Sequence, residues 1–449
     1  MNRWFALRIP AVYSEEWTSL SGCRAKDTVT VRKADLAEQQ SSRSKAGLPF
    51  PHYPCRQAPM CRVLVALLVM TLSAVTSLAA EPPPLRVVVY GNHALDDASI
   101  IKMSGIDQDP TLSAMDVKRR LQTTSMFSKI NVTRAKGSMR IIVKEKTNWF
   151  VVPYLSFGAD SNVYGLALGK SSVLGQNANV IGCYQSGGGD SKGMILVRDE
   201  FFMNTPFSLG VSLDYEDALH RIYHERKVVQ RTTNQYHGGS IQLGYHLNPY
   251  AAFMLNNFIE RHRFEEPSGN YVSGLQVSHQ LSLLYGTFST NEGLTRGAAV
   301  RGYYEITNPW ADFQFRKVGV SGQVSVFLKN DFNWIVRPEA ETGSGLPRCQ
   351  QFELGGYRLR SYPVQQFRDR SYFSVQNDVL LTSWNIRKIK LRTLTYVDWA
   401  FVQNSGRTGL GAGLQVYLRE VAIPAVQIFA GYGFNPNGFS AVVSIGPQF

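Results

Sequence analysis

The feature that most constrains the fold of this 449-residue chain is an alternation of apolar and polar side chains that runs through residues 147–449. In one clear segment, Leu281 and Leu283 alternate with Gln280 and Ser282. Residues two apart point to the same face of a strand, so each segment has one apolar and one polar face. Repeated between polar and Gly-rich turns, this pattern predicts a transmembrane β-barrel with its apolar face toward lipid. A soluble β-sandwich with the apolar face inward could show the same alternation.

Turn signals divide the region into 16 segments. Each segment with its connection averages about 19 residues, which fits spanning strands of about 9–11 residues joined by turns. The fold class predicted is therefore mainly β: an antiparallel barrel of about 16 strands, preceded by a small α/β domain.

The composition agrees with a membrane barrel and excludes several other classes. Aromatic residues make up 12% of the chain and charged residues only 18%, beside 38 glycines. After residue 80 no apolar run approaches the length of a spanning helix. The net charge of +13 is dispersed, without the basic and aromatic clusters of a nucleic-acid site. The five cysteines have no spacing that indicates a disulfide framework or a zinc site.

The first 80 residues resemble targeting sequence rather than folded structure. Residues 1–59 lack hydrophobic periodicity, which predicts a disordered segment or a non-native upstream extension. Residues 60–80 begin with Met60, contain an apolar core and end in a small-residue cleavage pattern, which predicts a secretory signal peptide cleaved after Ala79 or Ala80. The alternative is an uncleaved internal helix. Residues 81–84 form a Pro-rich linker.

Residues 85–146 predict a compact unit with the element order β-α-α-β-β. Acidic side chains at Asp96 and Asp97 favour the start of the first helix, which Gly105 ends. Ser113 can cap the second helix, whose expected core residues are Met115, Val117, Leu121 and Met126.

This unit resembles a polypeptide-transport-associated (POTRA) domain. The residues that match the POTRA pattern are Gly91, Asn92, Gly105, Phe127 and Glu145. The resemblance implies a periplasmic domain, and an unpaired edge of its sheet could bind an extended segment of another chain.

The stretch 354–363, LGGYRLRSYP, lies in a long break between two alternating segments, at about 343–370. It places Arg360 on a Gly-rich and Tyr-rich loop, and Asp378 and Asp398 follow on the polar faces of later strands. A guanidinium folded into a barrel needs carboxylates, because an unpaired charge in a poorly solvated lumen is costly. The alternative is ordinary lumen charge.

The same stretch resembles the arginine loop of the outer-membrane assembly and two-partner-secretion superfamily, the surface-antigen barrels that include BamA, TamA and FhaC. The residues that match the motif are Gly355, Gly356, Arg360 and Tyr362, with Ser361 where the family usually has glycine. The resemblance implies that the loop folds inward and that Arg360 binds Asp398 and Asp378.

A barrel of this kind closes where its first and last strands meet, and we name that junction the seam. It is expected to place residues 149–158 beside residues 441–448, with few ladder hydrogen bonds near Gly446 and Pro447. The seam residues predicted are Trp149, Gly158, Val443, Gly446 and Phe449. The terminal Phe449 is similar to the signal by which outer-membrane barrels are recognised for insertion.

The resemblance implies an outer-membrane protein that assists the assembly, insertion or translocation of other polypeptides without a cofactor. Expected partners are outer-membrane lipids, unfolded outer-membrane or secreted client polypeptides, and periplasmic accessory proteins, and no nucleic acid. No enzyme is predicted, because His220, His224 and His237 show no ligand or catalytic pattern. The alternatives are a two-partner-secretion transporter, which would normally carry two POTRA domains and a plug helix, and a plain porin-like channel.

Overall fold

The computed structural model describes residues 85–445 with short gaps. The gaps are residues 125, 136, 146–148, 159–161, 174–177, 249, 288, 292–293, 330–331, 387–388 and 419–423. The predicted extension, signal peptide and linker lie outside the described residues, as do Gly446, Pro447 and Phe449.

The small N-terminal domain has the predicted element order. Its elements are β1 (Arg86–Tyr90), α1 (Asp97–Ser104), α2 (Ala114–Thr123), β2 (Phe127–Ala135) and β3 (Ser138–Glu145). The sheet order is β1-β3-β2, with β1 parallel and β2 antiparallel to β3. Both outer strands therefore present an edge that no other described strand pairs with.

Local signals start and end both helices at the expected residues. The Asp96 carboxylate accepts a hydrogen bond from the backbone N–H of Ser99 at 2.7 Å, and Gly105 ends α1 in the left-handed conformation at φ 73°. The Ser113 hydroxyl accepts from the backbone N–H of Asp116 at 3.1 Å. The prediction that Met115 lies in the core is wrong: it is 64% exposed. Two residues along a helix correspond to about 200°, so Met115 points away from the buried Val117.

Glu145 fixes the turn that follows β1. Its carboxylate accepts backbone N–H bonds from His93 at 3.1 Å, Ala94 at 2.8 Å and Leu95 at 3.0 Å. Gly91, at φ 82°, opens this turn, and a Cβ there would lie 2.2 Å from the carbonyl oxygen of Val143. These contacts give both the glycine and the glutamate a structural role in the turn.

The remaining strands form the barrel and its loop. They are β4 (Trp149–Gly158), β5 (Asn162–Val173), β6 (Ala178–Gly187), β7 (Asp190–Asp199), β8 (Phe207–His224), β9 (Lys227–Asn248), β10 (Ala251–Glu265), β11 (Tyr271–Gly286), β12 (Ser289–Asn291), β13 (Leu294–Thr307), β14 (Arg316–Lys329), β15 (Phe332–Ser344), β16 (Phe352–Leu354), β17 (Phe367–Asp369), β18 (Ser371–Ile386), β19 (Ile389–Val402), β20 (Ser405–Leu418), β21 (Pro424–Phe434) and β22 (Gly438–Ile445).

The barrel is closed, and all of its neighbouring strands are antiparallel. Strands β16 and β17 pair only with each other, and the three-residue β12 pairs with β13 while β11 also pairs directly with β13. Among the described residues, 16 strands therefore form the wall, which confirms the predicted fold class. No described helix is long and apolar enough to cross a membrane.

Side chains alternate across the wall as the sequence predicts. On β11, Gln276, Ser278 and Ser282 are nearly fully buried, whereas Leu281 and Leu283 are exposed. On β19, Asp398 is buried and its neighbours Val397 and Trp399 are exposed. Polar groups inside and apolar groups outside are the arrangement of a membrane barrel and the reverse of a soluble sandwich.

The seam joins β22 to β4 and closes the barrel. Its described pairs run from Val442↔Gly158 to Ile445↔Leu155. The flanking residues 159–161 and 446–449 lie outside the described residues, so the weak ladder expected near Gly446 and Pro447 stays a prediction. Trp149, at the start of β4, is 61% exposed.

The buried side chain of Phe201 links the small domain to the barrel. Phe201, in the turn between β7 and β8, is 3% exposed and belongs to the hydrophobic core of the small domain. Nearby, the Ser99 hydroxyl donates to Asn204 Oδ1 at 3.3 Å, and the Arg120 guanidinium lies 4.5 Å from the ring centroid of Tyr250 in the β9–β10 turn. The domain therefore contacts the β7–β8 and β9–β10 turns, and its helix α2 also lies against β12 at the same end of the barrel.

We expect Phe201→Ala to loosen this attachment, because a buried Phe→Ala change typically costs about 3–5 kcal/mol. The domain should become sensitive to protease while the barrel stays resistant. The matched control is Phe202→Ala, since Phe202 is adjacent and 37% exposed. Equal protease sensitivity in both variants would show that Phe201 does not anchor the domain.

Candidate functional site

The segment between β15 and β18 folds into the lumen, and we name residues 345–370 the arginine loop. It contains the β16–β17 hairpin, whose register pairs Phe352 with Asp369. Leu354 and Leu359 are completely buried in a cluster with wall residues such as Tyr372 and Val402. Burial of these apolar groups gives the loop its own core, so its inward position does not depend on charge alone.

The two predicted glycines make the turn at the loop tip. Gly355 has φ 120° and Gly356 has φ 62°, conformations that favour glycine. A Cβ on Gly355 would lie 2.0 Å from the carbonyl oxygen of Pro363. The backbone N–H of Gly356 donates to the carbonyl of Tyr362 at 2.9 Å, which closes residues 356–362 into a compact tip.

The structure brings Arg360 together with both predicted aspartates. Its Nε and Nη2 donate to the two oxygens of Asp398 at 3.0 and 2.6 Å, and Nη2 also lies 2.6 Å from Asp378 Oδ1. The backbone N–H of Arg360 donates to Asp398 Oδ2 at 2.9 Å. The guanidinium carbon lies 4.1 Å from the ring centroid of Tyr396. These contacts use the paired N–H donors, the positive charge and the planar face of a guanidinium, so the position suits an arginine.

A second arginine supports the site from the wall. Arg337 on β15 donates through Nη1 to Asp378 Oδ2 at 2.7 Å, so Asp378 bridges two guanidinium groups. Burial alone would lower the pKa of Arg360, but Asp378 and Asp398 outweigh burial and raise it. The Arg360 side chain is therefore a permanent positive charge held between two carboxylates.

Arg358, also in the loop tip, forms ion pairs with acidic side chains of β15. Its guanidinium lies 3.2 Å from Glu339 and 3.9 Å from Glu341. Glu341 also accepts hydrogen bonds from the hydroxyls of Tyr303 at 2.6 Å and Tyr372 at 2.8 Å. The two alternate arginines of the tip thus bind acids on three consecutive wall strands, β15, β18 and β19.

Ser361 and Tyr362 pack against glycines of β20 and β21. A Cβ on Gly409 would lie 2.6 Å from the Ser361 Cβ, and a Cβ on Gly433 would lie 2.8 Å from the Tyr362 ring. The Tyr362 hydroxyl donates to the carbonyl of Thr408 at 2.9 Å. Because the wall has no side chains here, a serine fits at residue 361, where the motif that the loop resembles has glycine.

Gly431→Ala should displace the loop tip. Its Cβ would lie 2.3 Å from the Tyr396 hydroxyl and 2.5 Å from Ser361 Oγ, so the tip must move. We expect faster proteolysis within the arginine loop and a loss of activity. Gly182→Ala on β6 is the matched control, because a Cβ there meets no atom within 4 Å. Unchanged loop protection in Gly431→Ala would contradict the tight fit.

A further contact of the loop tip was not predicted from sequence. Arg226, in the β8–β9 turn, donates through Nη2 to the carbonyls of Ser361 at 3.0 Å and Phe439 at 3.1 Å. Arg226 thus links the tip to the start of β22. No sequence signal marks Arg226, because its partners are backbone carbonyls far away in the chain.

The other predicted site residues lie apart from the arginine site. Within the seam Gly158 pairs with Val442 and Val443 pairs with Phe157, and Trp149 lies on the exposed surface of β4. Phe127 is buried in the small domain, where Asn92 donates to the Leu95 carbonyl at 2.8 Å. In the described part of the chain, no group of three or more His, Cys, Asp and Glu side chains could hold a metal ion.

These observations define a class of protein: a closed 16-strand barrel with an arginine loop locked inside its lumen and a small α/β domain at one end. Comparison with solved structures identifies barrels of the same fold. BamA from Haemophilus ducreyi lacking POTRA domains 1–3 aligns with a TM-score of 0.55 at 14% identity, covering 95% of this chain and 100% of that one.

Two structures of CdiB are also similar. CdiB from Escherichia coli aligns with a TM-score of 0.59 at 12% identity, covering 97% of this chain and 96% of that one. CdiB from Acinetobacter baumannii aligns with a TM-score of 0.52 at 12% identity, covering 82% and 74%. No protein-family model and no curated protein sequence matches this chain. The chain therefore has the fold of the BamA and CdiB barrels.

Proposed function

We propose that this protein is a bacterial outer-membrane assembly factor that helps other polypeptides insert into, or cross, the outer membrane. It acts without a cofactor and without enzymatic chemistry. Its clients are unfolded chains whose strands pair with the barrel at the seam, and the small domain acts as a periplasmic POTRA domain. The fold shared with BamA supports this proposal.

The observation that carries the proposal is the way the barrel closes, by pairing its first wall strand, β4, with its last, β22. Each wall strand needs a partner, because an unpaired backbone group in lipid costs several kcal/mol. Every other wall junction joins wall strands that follow one another along the chain, whereas no connection links β4 directly to β22. The seam can therefore open without breaking the chain path around the wall, and its opening would present two strand edges to an incoming strand.

The POTRA role rests on the free edge of β2. Alternate residues Lys129, Asn131 and Thr133 are exposed, and no other described strand covers the edge of β2 opposite to β3. An extended client segment could add there by backbone hydrogen bonding. Phe201 joins the domain to the barrel, so a captured segment would be held near one end of the lumen.

A second function is supported by the similarity to CdiB. A two-partner-secretion transporter would pass an extended polypeptide through the lumen, which requires the arginine loop to leave or move aside. The polar lumen suits such a path, since Gln276, Ser278 and Ser282 face it. The same fold thus suits two routes for a client polypeptide: a lateral route through the seam into the membrane, and an axial route through the lumen.

One experiment separates the two routes. The purified protein in liposomes is given an unfolded outer-membrane barrel as client, and protease-resistant insertion into the bilayer is measured. In parallel, an extended secretion substrate is tested for delivery into the vesicle interior. The proposal expects accelerated insertion. Delivery of the soluble substrate without accelerated insertion would instead establish a transporter.

A further inference from the structure

The arginine loop contacts the seam itself through Tyr357. The phenol hydroxyl of Tyr357 lies within hydrogen-bonding reach of the Ser156 side chain on β4 and the Ser444 side chain on β22. These two serines are register partners across the seam, and Ser444 is completely buried. A single hydroxyl of the loop thus bridges the first and last strands from the lumen side.

The position of Tyr357 is set by wall strands that are distant from the seam. The Gln376 side chain on β18 donates to the Tyr357 carbonyl, and Gly356 on its N-terminal side fixes the turn of the tip. Three residues further along the chain, Arg360 is bound by carboxylates on β18 and β19. The bridge therefore depends on a docked tip.

A second contact holds the other end of β22. Arg226 Nη2 donates both to Ser361 in the tip and to the carbonyl of Phe439, next to the start of the last strand. The last strand is thus attached to the tip near both of its ends, by Tyr357 at Ser444 and by Arg226 at Phe439. Between these points β22 pairs with β4, in the described register from Val442 to Ile445.

We propose that Tyr357 and Arg226 form a latch that keeps the seam closed while the arginine loop is docked, so that withdrawal of the tip releases β22. This inference rests on the proposed function, in which client strands enter at the seam. Withdrawal would also uncover Ser156 and Ser444 together with the strand edges that bear them. The loop is then the regulator of strand entry, and the arginine site is its anchor.

Burial raises the pKa of Tyr357, so its hydroxyl keeps the proton that it donates. Removing the hydroxyl breaks the bridge without changing the anchor. Loss of one such hydrogen bond changes an equilibrium by about two- to tenfold. We therefore expect Tyr357→Phe to raise the population of the open seam by that factor, and Tyr357→Phe with Arg226→Ala to raise it further.

The test measures the distance between spin labels at Tyr184 on β6 and Leu410 on β20, in the full chain with its natural cysteines replaced by alanine. These lipid-facing sites lie five strand spacings apart across the seam, or about 24 Å. Ser444→Ala breaks the bridge at its β22 end and should change the distances in the same direction as Tyr357→Phe. Tyr236→Phe is the control, because Tyr236 is a buried tyrosine of β9 whose ring stacks on His262.

A larger population of long distances in Tyr357→Phe and Ser444→Ala, but not in Tyr236→Phe, supports the latch. No increase, or an equal increase in all three, overturns it. The client assay gives a separate answer. If the variants open the seam but client insertion is unchanged, the proposed function is contradicted and the latch is retained. If client insertion depends on the seam but the distances do not change, the latch is contradicted and the proposed function is retained.

Discussion

Arg360→Ala is expected to release the arginine loop from the wall of an otherwise intact barrel. The substitution leaves Asp398, which is completely buried, without its guanidinium partner. Breaking a buried ion pair typically costs about 3–5 kcal/mol. The barrel should persist because its backbone ladder does not include the loop. Trypsin should then cleave after Arg358 and Arg368, which the docked loop protects, and client insertion should fall to the level without protein.

Arg360→Lys should recover little of this loss. The guanidinium binds both oxygens of Asp398 and one of Asp378 while lying on the Tyr396 ring, and an ammonium cannot reach these groups together. If Arg360→Lys restores full protection of the arginine loop from protease, a positive charge alone is sufficient to hold the loop.

A double-mutant cycle measures the contact directly. Asp398→Asn is the suitable partner change, because its remaining oxygen can still accept the backbone N–H of residue 360. Contacting residues show coupling of about 0.5–3 kcal/mol. Strictly additive effects on loop proteolysis would mean that the Arg360 and Asp398 side chains do not interact in solution.

Removal of residues 85–146 should abolish client insertion while the barrel still folds. The wall strands pair only among themselves, so closure of the barrel does not require the small domain. The deletion uncovers Phe201, which the domain core otherwise buries, so a second version should carry Phe201→Ser to limit aggregation. Insertion activity is measured in liposomes beside the heat stability of the barrel. Full activity of the truncated protein would refute strand capture by the domain.

Much of this architecture follows from local patterns in the sequence. Period-two alternation predicts the strands, and their number and order then place the arginine loop between β15 and β18. Helix ends at Asp96 and Gly105 were predictable because capping involves neighbouring residues. Met115 was not, because an apolar residue near helical spacing can still lie on the exposed face.

The arginine site was only partly predictable, because it depends on contacts between distant strands. Arg360 and its two aspartates could be named from the motif and from the alternation of β18 and β19. Arg337 could not, because its contact with Asp378 depends on the register between β15 and β18. Tyr357 and Arg226 depend on the direction in which the folded tip points, which no periodicity encodes.

The central claim is that client strands enter at the seam, and locking the seam tests it most directly. Phe157→Cys with Val443→Cys places two thiols at register partners across β4 and β22. Opposed residues of antiparallel strands lie at Cα distances that a disulfide can span. The control pair, Leu410→Cys with Tyr432→Cys, locks register partners at the β20–β21 junction, away from the seam. The proposal predicts that oxidation stops client insertion only in the seam pair and that reduction restores it; unimpaired insertion by the oxidised seam pair would contradict it.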